Sequence, residues 1–292
     1  MLDGAVGTEL QRRGVPMDKI AWSGAAVLSH PDAVRETHED YIRAGSMVIT
    51  TNTFGSTRQM LEPAGFGDRV EMVHRDAVKL AREARDNVAE QGVAVAGSIS
   101  TEPPGFDRDA FLSPEKELEA YREAAGLLAD AGVDLIALEM IVETTHAALA
   151  IQAAQETSLP VWLGVGCKKR KDGTIVSFDH TELEFVAVLD ALIPMGPTVV
   201  NIMHSEIGAI PEAIDMVRQR WSGPIGVYPE SGYFTQPYWN FVDVISPADL
   251  ATEALGWIAA GVRLLGGCCG TSPAHIKALQ AAMPELEAAR SA

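Results

Sequence analysis

A single (β/α)8 TIM barrel, of the α/β class, is the fold this sequence predicts, and three observations predict it. A short apolar run followed by a long amphipathic stretch recurs eight times along 292 residues. The runs are rich in Val, Ile and Leu without clean alternation, as strands covered on both faces read. No Pro/Gly/Ser-rich or charged linker interrupts the series, so residues 1–292 are expected to form a single domain.

The first candidate strand is Met1-Leu2, leading into DGAVG. MVITTNTFG at 47–55, VAVAGSIS at 93–100 and VDLIALEMI at 133–141 follow. The remaining four are VWLGVGCK at 161–168, PTVVNIMHS at 197–205, PIGVYPES at 224–231 and VRLLGGCCG at 262–270. Between them the helices carry recognisable ends. Ser29-His30-Pro31 opens one that runs to Ala44-Gly45, where glycine can adopt the left-handed cap conformation. Ser113-Pro114 opens another over about 114–131, and the next strand starts on Val133 after Gly132. The same Ala-Gly-Val junction recurs at 260–262.

Composition narrows the function classes. A net charge of -17, from 40 acidic and 23 basic residues, repels phosphate backbones and anionic lipid, which argues against nucleic-acid and membrane-surface partners. The N-terminal stretch lacks the basic start and apolar core of a secretory signal, which predicts a cytoplasmic protein. Three cysteines, an odd number, in a reducing compartment are expected to be free for metal or chemistry. Whether the chain forms a homo-oligomer is left open.

In such a barrel the reactive groups gather at the C-terminal ends of the strands. The polar residues there are Asp3, Thr51, Asn52, Thr53, Ser98, Ser100, Glu139, Cys167, Asn201, His204, Tyr228, Glu230, Ser231, Cys268 and Cys269. All three cysteines fall at this rim. On a regular strand Cys268 and Cys269 would point to opposite faces. Where the flanking glycines let the chain turn, both sulfurs can converge on one ion, and a soft, thiolate-rich site suits Zn2+. The competing reading is two small buried residues packed under the last helix.

The segment GVRLLGGCCGTSPAHI at 261–276 resembles the zinc-binding signature of the homocysteine S-methyltransferase family. That family includes the betaine- and S-methylmethionine-dependent enzymes and the homocysteine half of cobalamin-dependent methionine synthase. LDGAVGTEL at 2–10, TTNTF at 50–54, AGSIS at 96–100, GVDLIALEMI at 132–141 and VYPESG at 227–232 agree in order and spacing. The resemblance implies a (β/α)8 barrel whose zinc, held by three cysteine thiolates, binds the sulfur of homocysteine and lowers its pKa for attack on an onium methyl group, giving methionine. It further implies that Glu139 holds the substrate ammonium and that Asp3 lies near the sulfur amino acid. Thr51 and Asn52 match the family's second-strand residues, and Ser98 is a candidate for the substrate carboxylate.

One departure matters. The family's third zinc cysteine ends the sixth strand, which here reads Val199-Val200-Asn201-Ile202-Met203-His204-Ser205. Cys167, as the only remaining thiol, is the first expectation for the third ligand alongside Cys268 and Cys269. His204 is the alternative, and a two-ligand or lost site is the third reading. Loss would leave a repurposed barrel acting on another small molecule, thiol or donor. The stretch 228–241 holds six aromatic residues in fourteen positions. Aromatic faces stabilise onium methyl donors, so Tyr228, Tyr233, Phe234, Tyr238 and Trp239 are candidates for substrate contact. Lys168-Lys169-Arg170-Lys171 is either a solvated loop or a dock for an anionic group. No acid/base pair is expected at the centre, because methyl transfer to sulfur needs an activated nucleophile and in-line approach rather than proton traffic.

Overall fold

A computed structural model describes every residue except 105, 106, 108, 109, 236–239 and 292. Among the described residues, seven parallel strands form one sheet in the order β1 (Val48–Thr50), β2 (Ala94–Ser100), β3 (Leu135–Ile141), β4 (Val161–Val165), β7 (Val199–Glu206), β8 (Ile225–Glu230) and β11 (Leu264–Leu265). Two antiparallel hairpins stand outside it, β5 (Cys167–Lys169) with β6 (Ile175–Ser177), and β9 (Tyr233–Thr235) with β10 (Asn240–Val242).

The sheet closes through the N-terminal segment. Leu2 N–H donates to Leu265 O at 2.7 Å on one side, and Asp3 N–H donates to Val48 O at 3.0 Å on the other. Leu2 therefore acts as the missing stave between β11 and β1, reduced to a single parallel bridge with Val48. The expected barrel is realised, with its first and last staves much shorter than their apolar runs.

Alternation along the staves sorts residues into two layers. Val95, Ile99, Ile136, Leu138, Leu163, Val200, Ile202, Ile225 and Val227 belong to the apolar layer between sheet and helices. Their alternates turn inward. Leu135 and Ala137 pack with Ala96 at the lower end of the lumen, and Met140, Met203 and Tyr228 cluster with Leu2. The inward set is therefore largely apolar too, which is why the runs do not alternate cleanly.

The predicted helix over 114–131 is observed as Pro114–Ala131, and the one after Ser29 as Pro31–Ala44; both end on left-handed glycines, Gly132 and Gly45. No described helix is long and apolar enough to cross a membrane.

The fifth run differs from expectation. β4 ends at Val165, and Cys167 begins a hairpin that leaves the barrel and pairs with Ser177 rather than prolonging the stave. The cationic stretch on this hairpin is largely paired within the chain. Lys169 contacts Glu212, Arg170 lies 3.0 Å from Asp172, and Lys168 Nζ sits 4.9 Å above the Phe178 ring.

Candidate metal centre and substrate cavity

Two of the inner staves carry a one-residue bulge at the height of the site. On β3, Leu138 pairs with Leu163 but Ile141 pairs with Val165. On β7, Met203 pairs with Tyr228 but Glu206 pairs with Glu230. Each bulge holds a residue in the left-handed region, Met140 at φ 56° and His204 at φ 45°. Bulges re-aim side chains, and backbone conformations this unfavourable for non-glycine residues persist only where the surroundings over-determine them. Met140 N–H donates to Met203 Sδ at 3.1 Å, tying the two bulges together.

Both bulges border a cavity of about 500 Å³ at the C-terminal end of the barrel. At one part of its wall His204, Cys268 and Cys269 present ligand atoms within 4.8 Å of one another. His204 Nδ1 lies 3.4 Å from Cys268 Sγ. Adjacent cysteines can face the same point because the strand has already ended at Leu265 and Gly270 turns the chain at φ 83°. A side chain at Gly270 would also meet Ser231 O at 2.0 Å. Contact with Cys269, together with burial, pushes the Cys268 thiol well up. Burial works against a charged His204, but the Cys268 sulfur and Glu230 outweigh it and push its pKa up to about 9.

Cys167 does not join this group. Its side chain is fully buried in the apolar layer, and burial pushes its thiol up to about 12. Cys167 instead opens the β5–β6 hairpin, paired with Ser177, and its N–H donates to Ser205 Oγ at 2.8 Å. The expectation that Cys167 completes the thiolate set is thus replaced by His204 as the third converging donor.

The cavity also bears the two expected carboxylates. Asp3 accepts from Thr50 N–H at 2.7 Å and Thr50 Oγ1 at 3.1 Å. Glu139 accepts from Ser98 Oγ at 2.5 Å and from the Tyr228 hydroxyl. Burial raises both pKa values, and for Asp3 the charge of Glu139 adds to the rise. Burial and Glu139 likewise push the Tyr228 phenol well up, so that it remains a donor. Gly164 on β4 makes this crossing contact feasible, because a Cβ there would meet the Tyr228 hydroxyl and Leu138 O, each at 2.8 Å. No lysine or arginine is among the described residues lining the cavity.

The remaining expectations divide. Thr51 lines the cavity, yet its hydroxyl bonds Thr53 Oγ1 at 2.7 Å and accepts Ser98 N–H at 3.1 Å. Asn52 lines it too, while its amide pairs reciprocally with Ser23. Both hold the rim together. Phe234 reaches the cavity, whereas Tyr233 is 56% exposed and does not; Tyr238 and Trp239 lie outside the described residues. Trp22, Phe54 and Phe178 line the cavity without having been singled out in the sequence. They sit on connections whose local pattern says nothing of where they point. Glu230 was visible only as one more polar rim residue, and its place beside His204 depends on the bulge.

A family model for homocysteine S-methyltransferase matches residues 1–283. Homocysteine S-methyltransferase 4 of Zea mays is 30% identical over 98% of this chain and 90% of its own length. Selenocysteine methyltransferase of Astragalus bisulcatus is 28% identical over 96% and 90%. Among solved structures, the metallated form of the homocysteine methyltransferase MmuM from Escherichia coli is similar with a TM-score of 0.77 and 26% identity, covering 96% of this chain and 94% of that one.

Proposed function

Because the chain belongs to the homocysteine S-methyltransferase family, we propose that it transfers a methyl group from an onium donor to the thiol of homocysteine, with zinc held by His204, Cys268 and Cys269. The observation that carries this reading is the convergence of two thiols and an imidazole on the wall of a cavity that also presents Asp3 and Glu139. The donor set fits the metal. Two sulfurs and one nitrogen are a zinc-type ligand group, and three protein ligands facing a cavity leave a position for substrate. Bound there, zinc supplies a Lewis acid that keeps the acceptor sulfur as thiolate at neutral pH.

The chain's own residues do the rest. Glu139, oriented by Ser98 and Tyr228, accepts the substrate ammonium, and Asp3 adds a second negative charge. A ligand cation relieves Asp3 and Glu139, carboxylates for which the described residues of the lining provide no lysine or arginine. Trp22, Phe54, Phe178 and Phe234 exclude water and offer aromatic faces to the onium methyl group, each worth about 0.5–2 kcal/mol. Glu102, Glu143 and Asp179 extend the acidic lining. That charge balance favours donors that are cationic overall, amino-acid sulfoniums of the S-methylmethionine or adenosylmethionine type, over betaines, whose onium and carboxylate charges cancel.

The test is a methyl-transfer assay read by mass, offering homocysteine with S-methylmethionine, adenosylmethionine, glycine betaine or dimethylsulfoniopropionate. Methionine is expected from a sulfonium amino acid. Zinc-loaded protein that makes methionine from none of them sinks the acceptor assignment. Absence of bound zinc under reducing conditions, with Cys268→Ala fully folded, sinks the metal assignment.

A further inference from the structure

The imidazole of His204 has a neighbour on each side. Nδ1 faces Cys268 Sγ at 3.4 Å, and Nε2 lies 3.2 Å from Glu230 Oε2. Resting on the zinc reading above, we infer that Glu230 is a positioning residue for the metal centre, holding His204 as the Nε2-protonated tautomer so that the Nδ1 lone pair points at the two thiols.

Three features of the structure support this. A neutral imidazole carries one proton, and the ring nitrogen that donates to a carboxylate leaves the other as the ligand. Glu230 ends β8 at the position directly paired with Glu206, immediately past the bulge that carries His204. Its two chain neighbours are in register with the thiols: Cys268 N–H donates to Pro229 O at 2.9 Å, and Ser231 N–H donates to Cys269 O at 3.0 Å. Carboxylate, imidazole and sulfurs are therefore fixed by one continuous backbone ladder. The ring has little freedom to turn away, since Phe178 packs against it edge-on with centroids 4.6 Å apart. Glu230 and His204 side chains are only 15% and 14% exposed, so water competes weakly for the contact.

The pairing also answers why a histidine needs help where a third thiolate would not. A cysteine sulfur has no tautomer and can rotate into place about one bond. An imidazole must present the right nitrogen and the right ring plane, and a partner on its far side supplies both.

Zinc affinity of the full-length protein, measured by competition with a chromophoric chelator, tests the inference without relying on activity. Glu230→Ala is expected to weaken zinc binding about 10- to 100-fold. Glu230→Gln, whose amide oxygen still accepts the Nε2 proton, is expected to lose less. In a His204→Cys background, Glu230→Ala is expected to change nothing, because there is no ring left to orient. Unchanged affinity in Glu230→Ala beside a clear loss in Cys268→Ala overturns the role of Glu230 and leaves the metal assignment standing. An equal loss in the His204→Cys background also overturns it, since Glu230 would then act on the fold. Equal affinity of wild type and Cys268→Ala overturns the metal site and this inference with it. Should His204→Cys fail to fold, the nitrogen-15 shifts of His204 in zinc-loaded protein decide. An Nε2-protonated ring in wild type and a mixed population in Glu230→Ala are expected; an Nδ1-protonated ring in wild type refutes the assignment.

Discussion

Replacing Glu139 with glutamine separates binding from stability, because the two should move in opposite directions. The side chain is partly buried on an otherwise apolar stave, where its charge is costly and desolvation has raised its pKa. Glutamine keeps the shape and one acceptor oxygen for Ser98 or Tyr228 but carries no charge. The ligand-free variant should therefore melt at the same temperature as wild type or higher, since removing a desolvated charge that no lysine or arginine among the described lining residues pairs is neutral or stabilising. Binding should suffer instead. A hydrogen bond between charged partners contributes about 1.5–3 kcal/mol, and losing that amount from the ammonium contact weakens homocysteine about 10- to 150-fold. Calorimetric titration of zinc-loaded wild type and Glu139→Gln with homocysteine measures it. The same titration with 4-mercaptobutyrate, which has the thiol and no ammonium, should give nearly equal affinities for the two proteins. Unchanged homocysteine affinity in Glu139→Gln, or an equal loss for both ligands, refutes the ammonium assignment.

Other substitutions probe the surrounding structure. Cys167→Ala should retain full zinc binding and cost about 1 kcal/mol of stability from the small core cavity, whereas Cys269→Ala should lose zinc; metal analysis beside thermal melts distinguishes the two cysteines. Gly270→Ala should destabilise the fold by about 1–3 kcal/mol and weaken zinc, because its left-handed φ and the close Ser231 carbonyl both resist a Cβ; normal melting and normal zinc content would contradict that account. Asp3 and Glu139 both have raised folded pKa values, so the folded state binds more protons than the unfolded one between the ordinary values of 3.8 and 4.5 and the raised ones. Their contribution is fully present below that window and is lost as pH rises through it, so melting of the ligand-free protein should decline as pH rises above the ordinary carboxylate values, and less steeply in Asp3→Asn or Glu139→Gln. Parallel pH profiles in all three proteins would count against the two carboxylates being the source.

Much of this was legible in the chain itself. Periodic apolar runs and capped helices are local signals, so the barrel, and the helix at 114–131 to the residue, could be read before any contact was known. The paired cysteines between glycines marked the proposed metal site, Glu139 stood out as a carboxylate in an apolar run, and Asp3 came from the family resemblance. Those features are set by composition and spacing over a few residues.

The proposed third ligand was not of that kind. The sequence reading favoured Cys167, as the only remaining thiol, over His204, which alternation alone would send to the helix side. Only the folded chain decides between them, because a one-residue bulge inverts which side chains face the lumen, and whether a strand bulges depends on its neighbours' register. The same holds for Glu230 and the aromatic walls from Trp22, Phe54 and Phe178, which approach the site from connections far apart in sequence. Sequence by itself determined the staves, their order and the chemistry available at their ends. Tertiary structure decided which of those groups meet, since convergence depends on closing long loops between staves, and no local pattern records where a loop's side chains come to rest.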